Sequence, residues 1–211
     1  MEERHPRDSY EFIMKESEQI LIPFLEALDS IGEEKQASYS LQLRVLGEIM
    51  TAQYTLRSLK LIKTHIRRSL KEGKELKELL PSEFPFLLLQ RQIIEMEQRE
   101  EAYQLRVKAL RSIVDSIVWK HLSRHIIKMA ALGGRSRTLV GKKGLFLELN
   151  LFESMAESSE IKGIPILNDI TSCLRVGDVS LIQNGALRPM ECKTGRVYDS
   201  KRAGRQTGKR Q

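Results

Sequence analysis

Along the first two-thirds of the chain, apolar residues recur by threes and fours, the spacing of amphipathic helices. From Ser9 to about Ile31 the apolar positions are Phe12, Ile13, Ile20, Leu21, Phe24, Leu25 and Leu28, with a kink expected at Pro23. From Ser38 to about Lys71 a second stripe runs through Val45, Ile49, Ala52, Leu56, Leu59, Ile66 and Leu70, interrupted by Lys63. The segment LLPSEFP, with Pro81 and Pro85, stops that helix. A third stripe, Ile93, Met96, Tyr103, Val107, Leu110, Val114 and Ile117, lies within Phe86 to about Leu132 and is interrupted by Glu100. That stretch contains neither proline nor glycine, so one long helix is expected. Two long helices across a short proline-rich turn predict an antiparallel hairpin or bundle.

The pattern changes at GGRSRTLVGKKG, residues 133–144, where glycine and basic residues replace the periodicity and mark a loop or boundary. GLFLELNLFESMAESSE follows. Its L-x-L-x-L alternation suits a strand, but Leu145, Leu149, Phe152 and Ala156 share one helical face, and a helix is the better fit. Strand formers come next: IPIL at 164–167, ITSCLRV at 170–176, then GDVSLIQNGALRPMECKTG at 177–195. The expected fold class is α+β, with a helical hairpin or bundle over residues 1–132 and a small second unit over residues 133–211.

Within the last of these segments, Asn184-Gly185 is the signal for a two-residue type I′ turn. A two-residue loop puts Gln183 opposite Ala186, Ile182 opposite Leu187 and Val179 opposite Met190. Asp178 then falls opposite Glu191 on the same face, and Lys193 joins them by the period of two. Facing carboxylates repel, so a fold tolerates them where something positive lies between. Hard oxygen donors at that separation suit Mg²⁺ or Mn²⁺.

Charge and composition narrow the classes. The chain has 211 residues, 41% hydrophobic and 30% charged, enough for a sizeable core in one or two domains. Of the net charge of +7, Thr194–Gln211 supplies +5, which fits either a solubilising end or a nucleic-acid footprint. Cys173 and Cys192 form no disulfide framework, the first residues are too charged for a signal peptide, and no apolar run has membrane-spanning length. A cytoplasmic protein without a membrane partner is expected.

Two other motifs do not hold. Gly134 and Gly141 enclose six residues, and Lys142 precedes Lys143 rather than Ser or Thr, so the loop is no P-loop. His121 and His125 have metal-ligand spacing on a helix, yet lack the intervening glutamate and an obvious third ligand.

Asp178, twelve intervening residues, then Glu191-Cys192-Lys193 resembles the Asp…Glu-x-Lys core of the PD-(D/E)xK nuclease superfamily, the restriction-endonuclease-like fold. The resemblance covers about residues 134–211. It implies a small restriction-endonuclease-like α/β core, in which Asp178, Glu191 and Lys193 are catalytic. Asp178, Glu191 and the Cys192 carbonyl would hold Mg²⁺ or Mn²⁺, and an added acid from Glu148, Glu153 or Asp169 is left open. Phosphate contacts would come from Arg202, Arg205 and Gln206. The family core continues through a further helix and strand, whereas 18 residues follow Lys193, so the unit is expected to be incomplete at its C-terminus.

The resulting expectation is a metal-dependent nuclease acting on nucleic acid, DNA before RNA, in restriction or phage defence. The helical module would serve self-association or a protein partner. The alternatives are a non-enzymatic helical interaction protein that binds nucleic acid through its basic end, or an inactive nuclease-like subunit.

Overall fold

A computed structural model describes residues 6–31, 34–76, 84–131 and 138–192. Lys193, Arg202, Arg205 and Gln206 lie outside the described residues. Among the described residues, five helices and three strands follow in chain order: α1 (Pro6–Ser30), α2 (Lys35–Leu76), α3 (Phe84–His121), α4 (Arg124–Ala130), α5 (Leu145–Glu157), β1 (Ile164–Leu167), β2 (Val179–Gln183) and β3 (Ala186–Met190). The molecule is mostly helical, with one small antiparallel sheet. No helix among the described residues is long and apolar enough to cross a membrane.

Helices α2 and α3 form the expected hairpin, and α1 packs along α3. Val45, Ile49 and Ala52 of the second stripe meet Val107, Leu110, Val114 and Ile117 of the third in the core, and Leu59 is buried further along α2. The two charged interruptions meet as well. Lys63 Nζ donates to Glu100 Oε2 at 2.6 Å, so the misfits of the two stripes neutralise each other across the interface. Helix α1 continues through Pro23 and is tied down by Arg106, which stacks on Tyr103 and donates to Ser17 Oγ at 2.8 Å. The single helix expected from Phe86 to Leu132 is instead two. Ser123 leaves the helical conformation and its hydroxyl accepts from Ile126 N–H, capping α4 and ending the continuity of α3.

The change of composition at residue 133 is not accompanied by a break in packing. One apolar cluster runs from Phe24, Val45 and Leu110 through Leu139 and Phe152 to Ile166, Leu174 and Val179. Polar contacts cross the same boundary. Lys35 Nζ donates to the carbonyls of Met155, Ser158 and Ile161, closing the C-terminal end of α5 from the start of α2. Gln42, fully buried on α2, donates from Nε2 to Pro165 O at 2.9 Å and accepts from Leu167 N–H at 3.1 Å.

The sheet has the order β1-β2-β3, antiparallel throughout. The hairpin has the expected register, Gln183 opposite Ala186 through Val179 opposite Met190, and both turn residues have positive φ, 50° at Asn184 and 72° at Gly185. Pro189 lies in β3, on the edge, where its missing N–H is tolerated.

ITSCLRV is not a strand. Residues Asn168–Ile170 form a 3₁₀ turn, and the backbone after it bonds to side chains instead of a ladder. Asp115 Oδ1 on α3 accepts from Ser172 N–H at 2.7 Å and Cys173 N–H at 3.2 Å, while Thr171 Oγ1 donates to Asn168 O. The β-branched content of the segment is spent on burial of Ile170 and Thr171, not on pairing.

Gly177 brings the chain back to β2. Its φ is +74°, and a Cβ there would stand 2.7 Å from Met190 O. Gly177→Ala is expected to lose about 1–3 kcal/mol, since strain and contact with rigid backbone act together. Thermal melts of the two proteins test this, and coincident curves would show that the close approach is not required.

Candidate functional site

Residues 138–144 form a tight loop between α4 and α5. Gln53 Oε1 on α2 accepts from Leu139 N–H at 2.8 Å and Val140 N–H at 3.3 Å, and Lys142 N–H closes a turn onto Leu139 O. Gly141 takes φ +82° within this turn. The loop thereby aims Lys142 inward instead of leaving it solvated, with only 14% of its side chain exposed.

Three carboxylates converge on that ammonium. Lys142 Nζ donates to Glu148 Oε2 at 2.6 Å and to Asp169 Oδ2 in a short contact, and it lies 3.6 Å from Asp178 Oδ1. Each acid comes from a different element: Glu148 from the first turn of α5, Asp169 from the 3₁₀ turn, Asp178 from the residue before β2. Glu148 is the most enclosed, with 3% of its side chain exposed. Arg111 of α3 backs the cluster, its Nη2 donating to Asp169 O at 3.4 Å.

Asp178 is fixed three ways. Its N–H donates to Met190 O at 2.8 Å, its carbonyl accepts from Asn168 N–H at 3.0 Å, and its Oδ2 accepts from Cys192 N–H at 2.9 Å. The ladder ends at Val179–Met190, one pair short of Asp178 and Glu191. Beyond that last pair Glu191 is exposed, while Cys192 is half-buried and reaches the cluster's edge through its N–H.

Of the residues the sequence singled out, Asp178 stands in the cluster, Cys192 borders it and Glu191 points to solvent. Of the three candidates for a further acid, Glu148 and Asp169 are both present, whereas Glu153 is exposed on α5 beside Tyr39. Lys142 was legible only as part of a basic loop. Its signal is local: a lysine between Gly141 and Gly144, six residues before the buried acid of the following helix. His121 and His125 lie apart from the cluster.

Burial dominates the electrostatics. It works against the Lys142 ammonium, but the hydrogen bonds to Asp169 and Glu148 outweigh it and leave the lysine pKa above its ordinary value. Glu148 is pushed up, first by burial, with the charges of Asp178 and Asp169 adding to it against the opposing pull of Lys142. The Cys192 thiol is also held above its usual range by burial, then by Asp178 and Glu148. Cys173, buried beside Asp115, is raised further, which makes it inert as a nucleophile.

The donors are hard oxygens of the kind that Mg²⁺ or Mn²⁺ takes. With the ammonium between them, no three His, Cys, Asp or Glu side chains among the described residues stand as a ready metal cage. No family model, no curated protein and no solved structure matches the chain.

Proposed function

We propose that this chain carries the phosphodiester-cleaving centre of a metal-dependent nuclease, acting on DNA before RNA, built on a restriction-endonuclease-like core. The observation that supports it most is the convergence of Glu148, Asp169 and Asp178 on a single buried point, with one ammonium against three carboxylates. A core under no functional demand gains nothing from collecting acids that repel. A divalent ion suits the excess charge, and Glu148, Asp169 and Asp178 would hold it. When bound, such an ion polarises the phosphate and lowers the pKa of a coordinated water.

The chain's own residues supply the rest. Cys192 N–H and the backbone of β3 hold Asp178 in place, and α5 holds Glu148. Lys142 keeps the carboxylates gathered, and a bound ion would draw on the same oxygens. Its ammonium would be a donor for a non-bridging phosphate oxygen. Glu191 and Lys193, which follow β3 in the sequence, complete the Asp…Glu-x-Lys pattern.

A second reading has its own support. Lys142 already satisfies the cluster and Glu191 is turned to solvent, as in an inactive nuclease-like subunit where lysine has replaced the metal.

Three measurements decide between them. Wild-type protein should gain thermal stability with Mg²⁺ or Mn²⁺ by mass action, about 2.7 kcal/mol at a hundredfold excess over Kd, and Asp178→Asn should gain much less. Cys192 should alkylate faster with metal, because neutralising Asp178 and Glu148 lowers its pKa. Labelled duplex DNA, single-stranded DNA and RNA should be cut with metal and spared in EDTA. Equal metal response in both proteins, with Cys192 reactivity unchanged, removes the site. Metal binding without cleavage removes the nuclease reading, and no metal response together with no cleavage leaves the inactive subunit.

A further inference from the structure

The α2–α3 hairpin changes its electrostatic character along its length. Toward its tip, cations on α2 meet acids on α3: Lys63 pairs with Glu100, and Arg67 Nη2 lies 2.8 Å from Glu97 Oε1. One turn before Lys63 the pairing stops. Lys60 and Arg57 of α2 face Gln104 and Lys108 of α3 across an open cleft of about 500 Å³, which ends at Thr138 and Val140. Arg111 also lines it, and no acidic residue among the described residues does. Arg57, Lys60 and Lys108 are exposed, and the cleft floor is apolar, formed by Leu56, Val107 and Val140.

Arg57, Lys60 and Lys108 are three exposed cations around an apolar floor, while Arg111 behind them is offset by the charges of Asp169 and Asp115. The complement is a group with an anionic part and a flat apolar part, which describes a nucleotide: phosphates for the cations, a base for the floor.

The cleft also shares two walls with the carboxylate cluster. The loop that Gln53 pins at Leu139 and Val140 delivers Lys142 to the acids two residues later. Arg111, at the inner end, donates to the backbone of Asp169. Cleft and acids are therefore joined through Arg111 and the loop of residues 138–142.

We propose that the cleft between α2 and α3 binds a nucleotide of the nucleic-acid substrate next to the scissile phosphate, with Arg57, Lys60 and Lys108 on its phosphates. This rests on the nuclease reading of the carboxylate cluster, and it moves substrate positioning into the helical part of the chain. The same chemistry would recognise a free nucleotide, so the test includes one.

The experiment measures anisotropy of labelled single-stranded and duplex oligonucleotides in EDTA, where nothing is cut, over a range of salt. Arg57→Glu with Lys60→Glu is compared with Arg124→Glu and Lys128→Glu, a pair of the same charge change on exposed positions of α4 outside the cleft. Melting curves confirm that each variant folds, and Arg57→Gln with Lys60→Gln serves if the reversal does not. The cleft pair should bind at least about tenfold more weakly, with the salt slope reduced by about two, and the α4 pair should change little. Asp178→Asn should bind like the wild type, which separates this result from the fate of the cleavage assay. Equal weakening by both pairs, no oligonucleotide binding by the wild type, or displacement of the strand by micromolar AMP overturns the proposal.

Discussion

Lys142→Met should destabilise the fold by about 3–5 kcal/mol at neutral pH, because it removes the ammonium that Glu148, Asp169 and Asp178 share. The loss should depend on pH in a defined direction. A carboxyl whose folded pKa is raised leaves the folded state holding the extra proton, so stability falls as pH rises through the window above the ordinary range of about 4.3. Glu148 already has a raised pKa with Lys142 present, and removing the lysine takes away what opposes that rise. The variant should therefore recover much of its stability as pH falls toward the ordinary carboxylate range, where the wild type changes less. Adding Asp169→Asn should restore part of the loss, and Mn²⁺ should restore more if the cluster takes a divalent ion. Urea denaturation at several pH values measures all of this. A loss below about 1 kcal/mol at neutral pH, flat with pH, would show that the ammonium is not what holds the acids.

The Lys63–Glu100 pair gives the second large effect. Both side chains are mostly buried, at 15% and 10% exposure, and Glu100 keeps one oxygen, Oε1, without a protein hydrogen-bond partner. Lys63→Met leaves that carboxylate alone between two helices and should cost about 3–5 kcal/mol. Glu100→Gln should cost less, since Lys63 retains Glu97 at 4.0 Å. Replacing both by methionine should be near neutral or stabilising, because each residue stands on its helix's apolar stripe. The coupling between the single changes is the measured quantity. Additive losses in the double variant would refute a closed pair.

This pair also shows what the sequence could and could not convey. Lys63 and Glu100 were visible as one misfit in each stripe, and antiparallel packing makes two such misfits each other's solution. The hairpin register was legible for a similar reason: Asn184-Gly185 fixes a two-residue loop, and every later pairing follows from it. ITSCLRV failed because what determines it lies far away. Asp115, 57 residues upstream of Ser172, takes the N–H groups a strand would have offered to a neighbour. The carboxylate cluster was half legible. Asp178 carried the local signal, and Glu148 and Asp169 were among the named acids. Their meeting point depends on Gln53 pinning a loop 86 residues away, which no local spacing encodes.

Gln42 has a consequence beyond stability. Its amide presents one donor and one acceptor to Pro165 O and Leu167 N–H, the pair that a fourth strand would use to join β1. On the far side of the sheet, Pro189 removes a donor from the outer edge of β3. A three-stranded sheet ordinarily offers two templates for recruiting another chain; here a helix side chain occupies one and a proline ring blunts the other. Edge-to-edge polymerisation through β1 must first evict a fully buried glutamine, which makes Gln42 a guard against aggregation as well as a splice between helix and sheet.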